Sequence, residues 1–147
     1  MFQLKAEDRL RSWREFRSGI SELPLDLALL QVSQFWSKAP FTPYHLDHMP
    51  ESWPDPWTLI EENYYCDVAK ALGMLYTISL TTHKKDLNVE FRTYSDDIGH
   101  EYNLVWINKG KYILNLIDCE VVNIEQFDKT LKLCRIYLEE ELKINSY

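Results

Sequence analysis

The chain has 147 residues, 46% of them hydrophobic and 14% aromatic, which argues against disorder and suits a single domain over residues 1–147 with a real core. A formal charge of −7 argues against general nucleic-acid binding, because neutralising phosphates needs a clustered excess of Lys and Arg. Three widely spaced cysteines, Cys66, Cys119 and Cys134, make neither a disulfide framework nor a zinc pattern, so free thiols in a reducing, cytoplasmic setting are expected.

Residues 1–8 carry no apolar run of the secretory kind, and the longest apolar stretch, Ala71 to Leu80, is too short to span a bilayer. No membrane association is expected. Residues 6–20 read as an amphipathic helix, with Leu10, Trp13, Phe16 or Arg17, and Ile20 at helical spacing and Arg9, Arg11 and Arg14 on other faces. A second helix is predicted to start at Pro24, where proline suits a first turn. It carries Leu29, Leu30, Val32, Phe35 and Trp36 up to Pro40.

Residues 40–56 hold five of the six prolines and no glycine or basic residue. So aromatic a segment is expected to wrap over the core as an ordered loop, and such loops often carry function. Trp53 and Trp57 are its candidate interaction residues, because large rings suit interfaces. Intradomain packing is the alternative for both. His45, Asp47 and His48 are chemically able to ligate a metal, but their spacing matches no tight motif, so no metal and no cofactor is expected.

Residues 57–62 suggest a short helix. Beyond it two pictures stay open. In one, Asn63 caps a new helix and Cys66 stands at its third position; in the other, one unbroken helix runs from Trp57 to Leu80 and buries Cys66 as an inert thiol. In both, Val68, Ala71, Leu72, Leu75 and Ile78 form a buried stripe. Alternation of Leu87, Val89, Phe91 and Thr93 marks a first strand. Strands over residues 100–107 and 111–117 then pair through Asn108-Lys109-Gly110 as a hairpin. A capping-box pattern at Asn123-Ile124-Glu125-Gln126 predicts a last helix with Ile124, Phe127, Leu131, Cys134, Leu138 and Leu142 inside. The expected fold is α+β: N-terminal helices, a long Pro/Trp loop, a central helix on a three-stranded antiparallel sheet, and a C-terminal helix.

Cys66, His100 and Asp118 each fall at the end of an element, where side chains can project into a shared cleft. A cysteine in a first helical turn feels the positive end of the helix dipole, which favours thiolate. Glu61, Glu62 and Asp67 oppose this by like charge. A cysteine opening a helix, then His100-Glu101-Tyr102-Asn103-Leu104-Val105-Trp106, then the strand from Gly110 to Asp118 resembles the transglutaminase-like branch of the papain-like cysteine fold. The resemblance covers about residues 60–120 and implies Cys66 as nucleophile, His100 as base and Asp118 as orienting carboxylate. It further implies acyl transfer or amide hydrolysis on a protein or peptide partner. Read blandly, Cys66 and Cys134 are core thiols, His100 ends a strand and Asp118 sits in a turn.

A second function class is a non-catalytic interaction or assembly module. Trp53-Pro54-Asp55-Pro56-Trp57 also resembles stretches of uncharacterised tailed-phage proteins, which implies a virion component or adaptor.

Overall fold

The computed structural model describes residues 1–43 and 46–144, so His45 lies outside the described residues. Helix α1 spans Ala6–Ser21 and α2 spans Leu25–Trp36, with Pro24 at the N-cap of α2. Both lie against α4, Asp67–Ser79, through Trp13, Leu29, Val32 and Trp36. Between Val68 and Ser79 only Lys70 escapes burial, the mark of a helix apolar all round and set at the centre of a core. The Thr77 hydroxyl within it is fully used. Thr77 Oγ1 donates to the Gly73 carbonyl (2.7 Å) and accepts the indole N–H groups of Trp13 (3.0 Å) and Trp36 (2.9 Å). Gly73 is required beside it, since a Cβ there would stand 2.4 Å from the Trp36 ring.

Helix α3, Pro56–Glu62, begins at Asp55, whose carboxylate accepts the Thr58 N–H at 2.8 Å. It ends at Asn63, which takes the left-handed conformation (φ 60°) that asparagine tolerates better than most residues. Asn63 therefore closes one helix instead of opening the next, and neither sequence picture holds. Residues 57–80 are not one helix, and Cys66 is the N-cap of α4, one position outside its first turn.

The sheet comprises β1 (Val89–Ser95), β2 (Glu101–Ile107), β3 (Tyr112–Leu114), β4 (Val121–Val122) and β5 (Lys132–Leu138). All neighbours are antiparallel, in the order β4-β3-β2-β1-β5. The α+β class stands, with five strands in place of three. The hairpin forms with Asn108, Lys109 and Gly110 all at positive φ, but Ile107 pairs with Tyr112, so its loop takes in Lys111 as well and the second strand stops at Leu114.

The C-terminal helix does not form. Asn123 and Gln126 do make the reciprocal cap, Asn123 Oδ1 accepting the Gln126 N–H (3.1 Å) and Gln126 Oε1 accepting the Asn123 N–H (3.0 Å). Two residues on, however, Asp128 draws the Thr130 N–H (2.9 Å) and hydroxyl (2.6 Å) into a second turn. The chain then reverses and Tyr137 pairs with Phe91 on β1. Cys134, expected in a helical core, is exposed at the β-bulge where β5 slips against Thr93 and Tyr94.

The two faces of the sheet carry separate clusters. Val89, Phe91, Val105, Ile107, Leu114 and Tyr137 join the helices, while Tyr94, Leu104, Trp106, Ile113, Val122 and Phe127 form a smaller cluster opposite. Among the described residues, no helix is long and apolar enough to cross a membrane.

Candidate functional site

Cys66 is 5% exposed, and its sulfur is held by the proline-rich loop: Sγ accepts the Leu46 N–H at 3.3 Å and donates to the Leu46 carbonyl at 3.9 Å. The loop is tied down one residue earlier as well, since Thr42 donates to the Tyr65 carbonyl at 2.9 Å. As the N-cap of α4, Cys66 stands beside the first-turn amides of Asp67, Val68 and Ala69, which have no intrahelical acceptor. Donors of this kind can stabilise an oxyanion next to a nucleophile.

A cleft of about 570 Å³ opens at this point, lined by Phe41, Leu46, His48, Cys66, Glu101 and Asn103 among others. Three elements converge on it. From α4, the Asp67 carboxylate takes two amide donors, Asn103 Nδ2 at 2.8 Å and Asn115 Nδ2 at 3.3 Å. Asn115 reaches this place at positive φ just past β3 and also donates to the Asn103 carbonyl at 2.8 Å. From the loop, His48 Nε2 lies 2.7 Å from Glu101 Oε2 on β2. The backbone under His48 is fixed by core residues, because Trp53 Nε1 donates to the Asp47 carbonyl (2.7 Å) and the Tyr137 hydroxyl to the His48 carbonyl (3.2 Å). Burial pushes the Tyr137 hydroxyl above its ordinary range, which keeps it a neutral donor.

Two polar atoms of cleft-lining residues have no hydrogen-bond partner among the described residues. They are His48 Nδ1 and Asn103 Oδ1, both buried, and Asn103 as a whole is 3% exposed.

The structure does not join His100 or Asp118 to Cys66 by any contact among the described residues. His100 precedes β2; its N–H donates to Asp96 (2.8 Å) and its ring lies 4.8 Å from that of Tyr102, which packs with the cluster on the face away from α4. Asp118 pairs with Lys70 on α4 at 2.9 Å. Trp53 is 1% exposed, packed on Phe91 and Tyr137, so its ring is enclosed and not offered at the surface. Trp57 is half-buried against Trp13 and the Arg17 guanidinium. Asp47 Oδ1 accepts from the Met49 N–H and the Ser52 hydroxyl, pointing elsewhere than His48. Among the described residues no three His, Cys, Asp or Glu side chains converge as a metal would need.

Sequence reasoning passed over Glu101, Asn103 and Asn115 as site residues and took Asp67 only as a repelling charge. Strand parity was the available signal: if Val105 and Ile107 face α4, residues 103 and 101 share that face.

No family model matches the chain, and no curated protein matches it. Among solved structures it is similar to Legionella pneumophila LapG (TM-score 0.70, 12% identity, covering 92% of this chain and 80% of that one). The calcium-bound form of LapG matches with a TM-score of 0.71 at 11% identity, over 93% and 81% of the two chains. The EGTA-treated form matches at 0.70 and 12%, over 90% and 77%. At such identity the likeness shows a shared fold. These comparisons lend no support to a likeness with tailed-phage proteins.

Proposed function

We propose that this chain is a transglutaminase-like cysteine domain in which Cys66 attacks an amide or acyl carbonyl of a protein or peptide, within a reducing compartment. The observation that carries the reading is the position of Cys66, a cleft-lining thiol at the N-terminus of a buried helix. Support comes from the fold shared with Legionella pneumophila LapG.

The test exploits an asymmetry of exposure. Cys119 and Cys134 are exposed and Cys66 is buried. An unactivated set of thiols would label in order of access, so Cys66 would come last. Under timed iodoacetamide treatment at about pH 6–7, with cysteine-resolved mass spectrometry, Cys66 is expected to label first. Cys119 and Cys134 labelling while Cys66 stays intact would sink the reading.

One observation favours a second reading, a non-catalytic interaction or assembly module, whether of a virion or of a cell. No imidazole contacts Cys66 among the described residues. On that reading Cys66→Ser changes stability slightly and no activity at all.

A further inference from the structure

We infer that His48, oriented by Glu101, is the proton-transfer partner of Cys66, and that the site takes an amide whose N–H meets the side-chain carbonyl of Asn103. This rests on the reading of Cys66 as nucleophile and supplies the groups that reading lacks.

The tautomer of His48 is set by its partner. A carboxylate only accepts, so the 2.7 Å contact with Glu101 Oε2 places a proton on Nε2. In the neutral ring, Nδ1 is then left with the lone pair, and Nδ1 is the atom found buried without a donor among the described residues. A ring held this way is set up as a base, with its orienting carboxylate on the other nitrogen. The same loop that carries it grips the sulfur two residues earlier, through both backbone groups of Leu46. His48 and Cys66 line one cleft, whereas the His100 ring lies with Tyr102 on the other face of the sheet.

Asn103 indicates what enters. Its Nδ2 is committed to the Asp67 carboxylate at 2.8 Å, which settles the orientation of the amide, because the opposite flip would set two acceptors against each other. Oδ1 is therefore a fixed acceptor on a cleft-lining residue, buried and unmatched among the described residues. Buried acceptors are as a rule matched, so this one awaits a donor from the occupant. A peptide or side-chain amide supplies both an N–H for Asn103 and a carbonyl for Cys66. Among the described residues, the charged and titratable groups lining the cleft are Asp47, His48, Cys66, Asp67 and Glu101, with no Lys or Arg, so an anionic substrate is disfavoured.

In the step proposed, the Cys66 S–H proton passes to His48 Nδ1 and the sulfur lone pair forms a bond to the amide carbon. The carbonyl π electrons move onto oxygen, facing the first-turn amides of α4. Collapse restores the C=O and breaks the C–N bond, and the leaving amine takes the proton from His48. Water, deprotonated by the same nitrogen, or an incoming amine then displaces Cys66 from the thioester. His48 finally returns the proton to sulfur.

The experiment tracks iodoacetamide labelling of each cysteine against pH, on the whole chain and on His48→Ala, Glu101→Gln and His100→Ala. His48→Ala is expected to slow Cys66 labelling at about pH 6 by tenfold or more, with recovery only above about pH 8.5, where a thiol ionises unaided. Glu101→Gln should give a smaller loss of the same acid-side limb, and Glu101→Asp should restore part of it. His100→Ala should leave the profile of Cys66 as it was. Should His48→Ala fail to fold, His48→Gln is expected to give the same loss. Fast labelling of Cys66 that ignores His48 overturns the proposal and leaves Cys66 as nucleophile standing. A Cys66 no faster than Cys119 and Cys134 in the unaltered chain overturns both.

Discussion

On the α4 face of β2, Ile107 and Val105 lie in the core, and the same row runs on through Asn103 and Glu101 into the cleft beside Cys66. On the opposite face the row is Trp106, Leu104 and Tyr102, ending against the His100 ring. The rows are one residue out of step, and that single step decides which polar groups reach the thiol. Side chains of a strand alternate strictly, so a shift by one exchanges the faces entirely. The faces also differ in cover. Helices close the first, with Trp53 and Tyr137 sealing one side of it; the second is closed by the turns of residues 123–131, and Leu133 and Leu138 stay exposed at its edge.

The first way to break this contrast is at Trp53. It is buried to 1% between Phe91 and Tyr137, and its N–H holds the loop that carries His48. Trp53→Ala is expected to destabilise the protein by about 3–5 kcal/mol in denaturant titration, as a large-to-small change in a rigid surround. A variant as stable as the parent would mean that this ring is a surface anchor after all. On the other face, Phe127 packs on Tyr94 and Trp106 at 9% exposure beneath turns that can settle inward. Phe127→Ala is therefore expected to cost less, about 2 kcal/mol, because the penalty depends on how far a site can collapse. Equal losses at the two positions would show that the faces are packed alike.

Much of the fold was legible in local chemistry. Pro24, the residue 108–110 hairpin and the apolar stripe of α4 declared themselves, and the Asn123–Gln126 cap forms as its pattern says. The path of the chain beyond that cap was not legible. Asp128 and Thr130 divert it over two residues, and β5 is then set by pairing with β1, some forty residues away in sequence. The β propensity of Ile136 and Tyr137 counts only once Phe91 and Trp53 are in place beside them.

Within the site, placing Cys66 at a helix start needed only local signals. Its neighbours needed the parity of β2, and both rows of that strand are apolar over residues 104–107, so hydrophobicity there could not say which one faces α4. His48 was harder still. Its approach to Glu101 depends on Trp53 and Tyr137 holding the backbone at Asp47 and His48, contacts that span up to 89 residues of sequence. Asn63 was misread because asparagine suits either end of a helix; here it takes positive φ and its side chain donates to the Phe2 carbonyl at 2.9 Å.

The parity of β2 is the central claim, and proton–proton Overhauser contacts in solution test it most directly. The side-chain amide protons of Asn103 are expected to show contacts to the first turn of α4 at Asp67 and Val68, and the His100 ring protons to Tyr102. A contact from the His100 ring to the Cys66 β-protons, with the Asn103 amide on the Trp106 side, would contradict the account.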